Sequence, residues 1–136
     1  MAEITLAATI DNIAVVTDFV SEQLDELGCS MKVQMKFSIA VDELFSNIAH
    51  YAYPSGEGMA TVQVATQAEG KQVVVTFIDE GIPYNPLAKE DPDITLSLED
   101  RPLGGLGIFM VKKSMDDMQY RYENGKNILR IIKSID

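Results

Sequence analysis

Four of the chain's five prolines, Pro83, Pro86, Pro92 and Pro102, fall in the acid-rich stretch Glu80–Leu103. Proline lacks an amide hydrogen and fixes φ, so neither a helix nor a central strand can run through this stretch. The fold must therefore be assembled from what lies before and after about twenty irregular residues, and such segments in compact domains commonly carry function.

Before the interruption, "EITLAATI" (Glu3–Ile10) reads as a strand. Asp11 is placed to cap a helix in which Ile13, Val16, Val20, Leu24 and Leu27 recur at helical spacing until Gly28. A second helical pattern runs from Met31 to Tyr51, with Phe37, Ala40, Val41, Leu44 and Ile48 as its apolar stripe. "ATVQVATQ" alternates like a half-buried strand, "QVVVTFID" is more continuously apolar, and the short "AEGK" between them predicts a hairpin. After the interruption, "IFMVKKSMDDM" reads as a helix, and "QYRYEN" with "NILRIIKS" as a closing hairpin. Strands outnumber crossovers. The expected architecture is α+β: a mixed, mostly antiparallel sheet with helices on one face, as a single domain over residues 1–136.

Composition excludes several classes. The hydrophobic fraction of 46% and charged fraction of 24% are those of a globular chain. A net charge of −10, from 21 acidic and 11 basic residues, argues against nucleic-acid or anionic-membrane binding, which needs concentrated Lys and Arg. Cys29 stands alone, so no internal disulfide is available, and no Cys/His spacing suggests zinc. The first residues lack a basic-then-apolar leader pattern, and no apolar run reaches spanning length. The expected location is a reducing, soluble compartment, the cytoplasm.

The chemistry gathers in three places. Gly104-Gly105-Leu106-Gly107 precedes a helix, an arrangement in which backbone N–H groups and the positive helix end can hold an anion. It lacks the lysine and spacing of a P-loop and does not follow a strand as a dinucleotide fingerprint does. Glu43 and Asn47 stand four apart, on one helix face beside the apolar stripe. A carboxylate there can take a proton, and an amide oxygen is a hard ligand suited to Mg²⁺. Asp79 ends a buried strand, where it can accept a hydrogen bond from a purine amino group, and Gly81 lets a flat ring approach.

Taken together, Glu43-x-x-x-Asn47, Asp79-Glu80-Gly81 and Gly104-Gly105-Leu106-Gly107 resemble the boxes of the GHKL superfamily of ATPases and kinases. Within it, "VDELFSNIAHYAYP", "DEGIPYNP" and "GGLGIFMVKKSMDDM" look most like the anti-sigma-factor serine/threonine kinases. The resemblance covers nearly the whole chain. It implies a Bergerat-type two-layer sandwich that binds ATP and Mg²⁺. By that analogy Asp79 binds the adenine amino group, Gly81 gives the ring room, and Asn47 coordinates Mg²⁺. Glu43 is the general base, and the backbone around Gly104, Gly105, Leu106 and Gly107 cradles the phosphates under a lid over residues 84–103. It also implies an anti-sigma antagonist (STAS-type) partner as phosphoacceptor, a sigma factor as second partner, and a homodimer. Pro83 replaces the second glycine of a fuller D-x-G-x-G box, which stiffens that edge. His50 reads as a packed or rim histidine, not a phosphoacceptor, and Arg101 as an exposed loop residue. A non-catalytic ATP-binding module and a simple ATP hydrolase remain compatible with the same residues.

Overall fold

Apart from its terminal aspartate, the segment Gln72–Asp79 carries no charge, and it occupies the middle of the sheet. The computed structural model describes residues 1–88 and 106–136. Its strands are β1 (Ala2–Ala7), β2 (Met59–Gln67), β3 (Gln72–Asp79), β4 (Asp117–Glu123) and β5 (Lys126–Ser134), in the order β1-β2-β3-β5-β4. Val73, Val75 and Phe77 point into the main core, while Val74 is buried on the opposite face, directly across from Ile132. Burial of Val74 on that second face, beside Val73, Val75 and Phe77 on the first, accounts for the nearly unbroken apolar run of β3. In β2 only one face is covered, so Ala60, Val62 and Val64 alternate with more accessible residues.

Each pairing among these strands is antiparallel. The helices are α1 (Ile13–Glu26), α2 (Met31–Tyr51) and α3 (Leu106–Ser114). Val16, Val20 and Leu24 of α1, Phe37, Val41, Leu44 and Phe45 of α2, and Ile108 and Val111 of α3 join one cluster with the inner face of the sheet. The expected α+β sandwich with helices on one face is therefore the observed one. The hairpin expected at "AEGK" is also present, with Ala68, Glu69 and Gly70 all at positive φ. The closing turn, Asn124-Gly125, has φ of 54° and 76°, the left-handed pair that a two-residue hairpin requires.

Three local expectations need correction. Asp11 does not cap α1: it lies inside a 3₁₀ turn, Ile10–Asn12, and α1 begins only at Ile13. There Asn12 ties back to β1 instead, its Nδ2 donating to the Ala7 carbonyl at 2.8 Å. The last helix stops at Ser114, short of "MDDM", because the chain there turns to pair with β5. The Asp116 N–H donates to the Ile132 carbonyl at 2.9 Å, and Asp117 opens β4. Finally, Leu27 is 39% exposed, since Gly28, at φ 81°, ends the helix before Leu27 reaches the core. The Ser30 hydroxyl then accepts the Val33 N–H at 3.2 Å and starts α2.

Two anchors bring the end of β3 to the end of α2. The Ile82 N–H donates to the Ala52 carbonyl at 2.9 Å. The Tyr53 hydroxyl donates to the Met59 carbonyl at 2.5 Å and accepts the Glu80 N–H at 2.8 Å.

The α3–β4 corner is held in part by charge. Asp116 Oδ2 accepts the Ser134 N–H at 2.7 Å, and Lys133 Nζ lies 3.4 Å from Oδ1. The Ser134 bond, then Lys133, hold its carboxyl below the ordinary value of 3.8. Stability from this group is present above that value and is lost as pH falls through the lower folded pKa. Asp116→Asn is expected to lower unfolding free energy at neutral pH by less than about 1 kcal/mol, because the half-exposed pair is screened. In denaturant titrations the difference from wild type should shrink as pH falls from 3.8 through the lowered folded pKa.

Candidate functional site

A small cavity of about 40 Å³ opens where α2, the segment after β3 and the β4–β5 hairpin meet. Leu44, Asn47, Ile48, Tyr51 and Ala52 form its helix wall. Ile82, Tyr84 and Pro86 face them, and Tyr120, Asn127 and Leu129 close it from the sheet. Apolar walls with a few polar groups are the ordinary make-up of a small-molecule site.

Glu43 and Asn47 are both half-buried, between fully buried Leu44 and exposed Asp42. Their helical spacing put them at the core's edge, and the fold keeps them there. What the spacing could not show is the partner of Glu43. A Cβ built at Gly107 would fall on the Glu43 carboxylate. The glycine is therefore needed for close approach, and it sets a carboxylate against the first turn of α3, where the helix dipole favours negative charge. Ser38, on the same helix, lies toward α1, its hydroxyl 3.5 Å from that of Ser21.

Asp79 is only 6% exposed. Both its hydrogen bonds among the described residues fall on Oδ1: the Gly81 N–H at 2.9 Å and the Asn127 Nδ2 at 2.9 Å. Burial pushes its carboxyl above the usual range, and these two bonds only partly oppose the shift. Asp79 does not itself line this cavity; Asn127, its bonded neighbour, does. Gly81 has a second reason to be glycine, because a Cβ there would strike the Ala52 carbonyl.

Asn127 is the residue that the sequence reading missed. It stands directly opposite Asp79 in the β3–β5 register and is itself buried. Its Nδ2 also donates to the Ile82 carbonyl at 2.9 Å, while its Oδ1 accepts the Tyr120 hydroxyl at 2.5 Å and the Tyr84 N–H at 3.1 Å. A signal did exist: Asn127 begins the inward-facing series Asn127, Leu129, Ile131, and a polar residue in a core series requires partners.

Other expected residues are dispersed. Gly104, Gly105 and Arg101 lie outside the described residues, as does the expected lid beyond Ala88. Leu106 and Gly107 open α3. His50 is exposed, its ring 5.9 Å from that of Tyr51, which is 6.4 Å from Tyr84. Among the described residues no group of three or more His, Cys, Asp or Glu could hold a metal. No described helix is long and apolar enough to cross a membrane.

The architecture is that of the GHKL nucleotide-binding proteins, a helix layer on an antiparallel sheet with polar groups gathered at one end. Residues 6–133 match the histidine kinase-like ATPase domain, and the chain belongs to that family. Among its relatives is the serine-protein kinase RsbW of Bacillus mycoides, 24% identical over 131 residues, covering 93% of this chain and 81% of the relative. The serine/threonine-protein kinase BtrW of Bordetella bronchiseptica is 24% identical over 102 residues, covering 75% of this chain and 71% of the relative. The fold is shared with part of the solved structure of the RsbU and RsbW domains of Rv1364c from Mycobacterium tuberculosis, with a TM-score of 0.65 at 17% identity. That match covers 97% of this chain but only 31% of the larger protein.

Two substitutions test the geometry. Because the folded pKa of Asp79 is raised, its ionised form costs stability at neutral pH, a cost relieved as pH falls through that value. Asp79→Asn can still accept both bonds at its Oδ1, so thermal unfolding at pH 7 is expected at or above the wild-type midpoint, by up to about 2 kcal/mol. Gly107→Ala improves helix propensity while displacing only the flexible end of Glu43. It should leave stability within about 1 kcal/mol of wild type yet shift the Glu43 carboxyl carbon signal in NMR spectra.

Proposed function

We propose that the protein is an ATP- and Mg²⁺-dependent serine/threonine kinase of the anti-sigma type, acting in the cytoplasm on a STAS-type antagonist. The observation that carries this reading is the contact between Glu43 and Gly107. It joins a proton-accepting carboxylate to the helix start that suits a phosphate, with Asn47 one turn along on the cavity wall. Relatives named as serine-protein kinases, aligned over most of the chain, support the same reading.

In this scheme the ionised Asp79 carboxylate accepts a hydrogen bond from the adenine amino group. Asn47 supplies its amide oxygen to Mg²⁺, whose role when bound is to neutralise charge on the phosphate oxygens. The N–H groups of Leu106 and Gly107, with Gly104 and Gly105 before them, hold the phosphates, and residues 84–103 form the lid. Glu43 accepts the proton of the partner's hydroxyl as its oxygen bonds to the γ-phosphorus and the bond to ADP breaks. The main demands are positioning and charge stabilisation. Addition of a dianionic phosphate to the partner then weakens its complex and frees the kinase surface for a sigma factor.

Incubation with ATP-Mg and the STAS-type partner, followed by mass spectrometry, is expected to show phosphoserine or phosphothreonine on that partner. Glu43→Gln should reduce the transfer rate by at least about 10²-fold with nucleotide affinity little changed. Nucleotide binding without transfer to any cognate partner would replace this reading with a non-catalytic module. Phosphate release without a partner would replace it with a hydrolase.

A further inference from the structure

We propose that Asn127 is a positioning residue that makes Asp79 selective for a 6-amino purine and simultaneously seats the segment after β3. The proposal rests on the nucleotide-binding reading above. A primary amide offers two N–H donors and two acceptor lone pairs. In Asn127 all four are engaged: Nδ2 with Asp79 Oδ1 and the Ile82 carbonyl, Oδ1 with the Tyr120 hydroxyl and the Tyr84 N–H. Turning the amide over would set oxygen against a carboxylate and a carbonyl, and nitrogen against a backbone N–H. Its orientation is therefore determined by its neighbours.

Saturation has a consequence for the role. With no donor or acceptor to spare, Asn127 acts on a nucleotide through Asp79, not by reading the base itself. Two N–H groups, from Gly81 and Asn127, converge on the same carboxylate oxygen. Such donors favour the ionised form, which accepts from an amino group and opposes the carbonyl oxygen that guanine carries at the corresponding position. Without the Asn127 donor, burial acts against a single remaining bond, and a protonated carboxyl can serve a carbonyl as well. The opposite end of the same amide holds the Tyr84 N–H, so the Asp79 carboxylate and the chain leading out of the pocket share one anchor.

The full chain, as wild type, Asn127→Leu and Asn127→Asp, would be titrated with ATP-Mg and GTP-Mg by calorimetry. Amide hydrogen exchange at Tyr84 would be measured in the nucleotide-free proteins. Leucine removes all four bonds, whereas aspartate keeps the acceptor toward Tyr84 and Tyr120 and replaces the amide donor with a second carboxyl oxygen facing Asp79, which opposes its ionisation. The ratio of ATP to GTP affinity is expected to fall by about tenfold in both variants. Tyr84 exchange should accelerate by about tenfold or more in the leucine variant alone. If the leucine variant does not fold, the aspartate variant carries the selectivity test. A wild-type preference for ATP that both variants retain would overturn the proposal, as would equal weakening of both nucleotides. A wild type that binds neither nucleotide would overturn the nucleotide reading, and this proposal with it.

Discussion

The antiparallel pairing of β3 with β5 is the constraint on which the site depends. It inserts the last strand between β3 and β4, so that Asp79 at the end of one strand faces Asn127 at the start of another. The same register stacks Phe77 against Leu129 and Val75 against Ile131 on the helix-covered face. A slip of one residue would turn this whole series to the other face. The polar site is therefore held in place by the apolar register behind it.

Around that register the chain accepts local costs. A carboxylate is buried where it would rather be neutral, and two close approaches require glycine, Gly81 at the Ala52 carbonyl and Gly107 at the Glu43 carboxylate. Each cost is offset by surroundings that allow no easy alternative: Asp79 by two N–H donors, the loop after β3 by the Ile82–Ala52 and Tyr53–Glu80 bonds.

Elements with strong periodicity were legible in the sequence, and so was any residue whose position follows from that periodicity. The α2 stripe Phe37, Ala40, Val41 and Leu44 is buried, and Glu43 and Asn47 flank it as helical spacing requires. The hairpin turns were legible because their residues tolerate positive φ. Boundaries were less so. Asp11 had the right chemistry for a cap, but a 3₁₀ turn took its place, and the pairing of Asp116 with Ile132 ended α3 against its local preference. Asn127 escaped because its meaning depends on a partner 48 positions away across a strand pair.

By itself, then, the sequence determined the layer architecture, the family resemblance and the face on which Glu43 and Asn47 lie. Hydrophobic period and turn chemistry are local, and local patterns can be read along a chain. Only the tertiary structure decided that Glu43 meets Gly107, that Asn127 holds Asp79, and that Gly81 yields to the end of α2. Those contacts join segments far apart in the chain, and their geometry exists only once the sheet register and helix docking have brought them together.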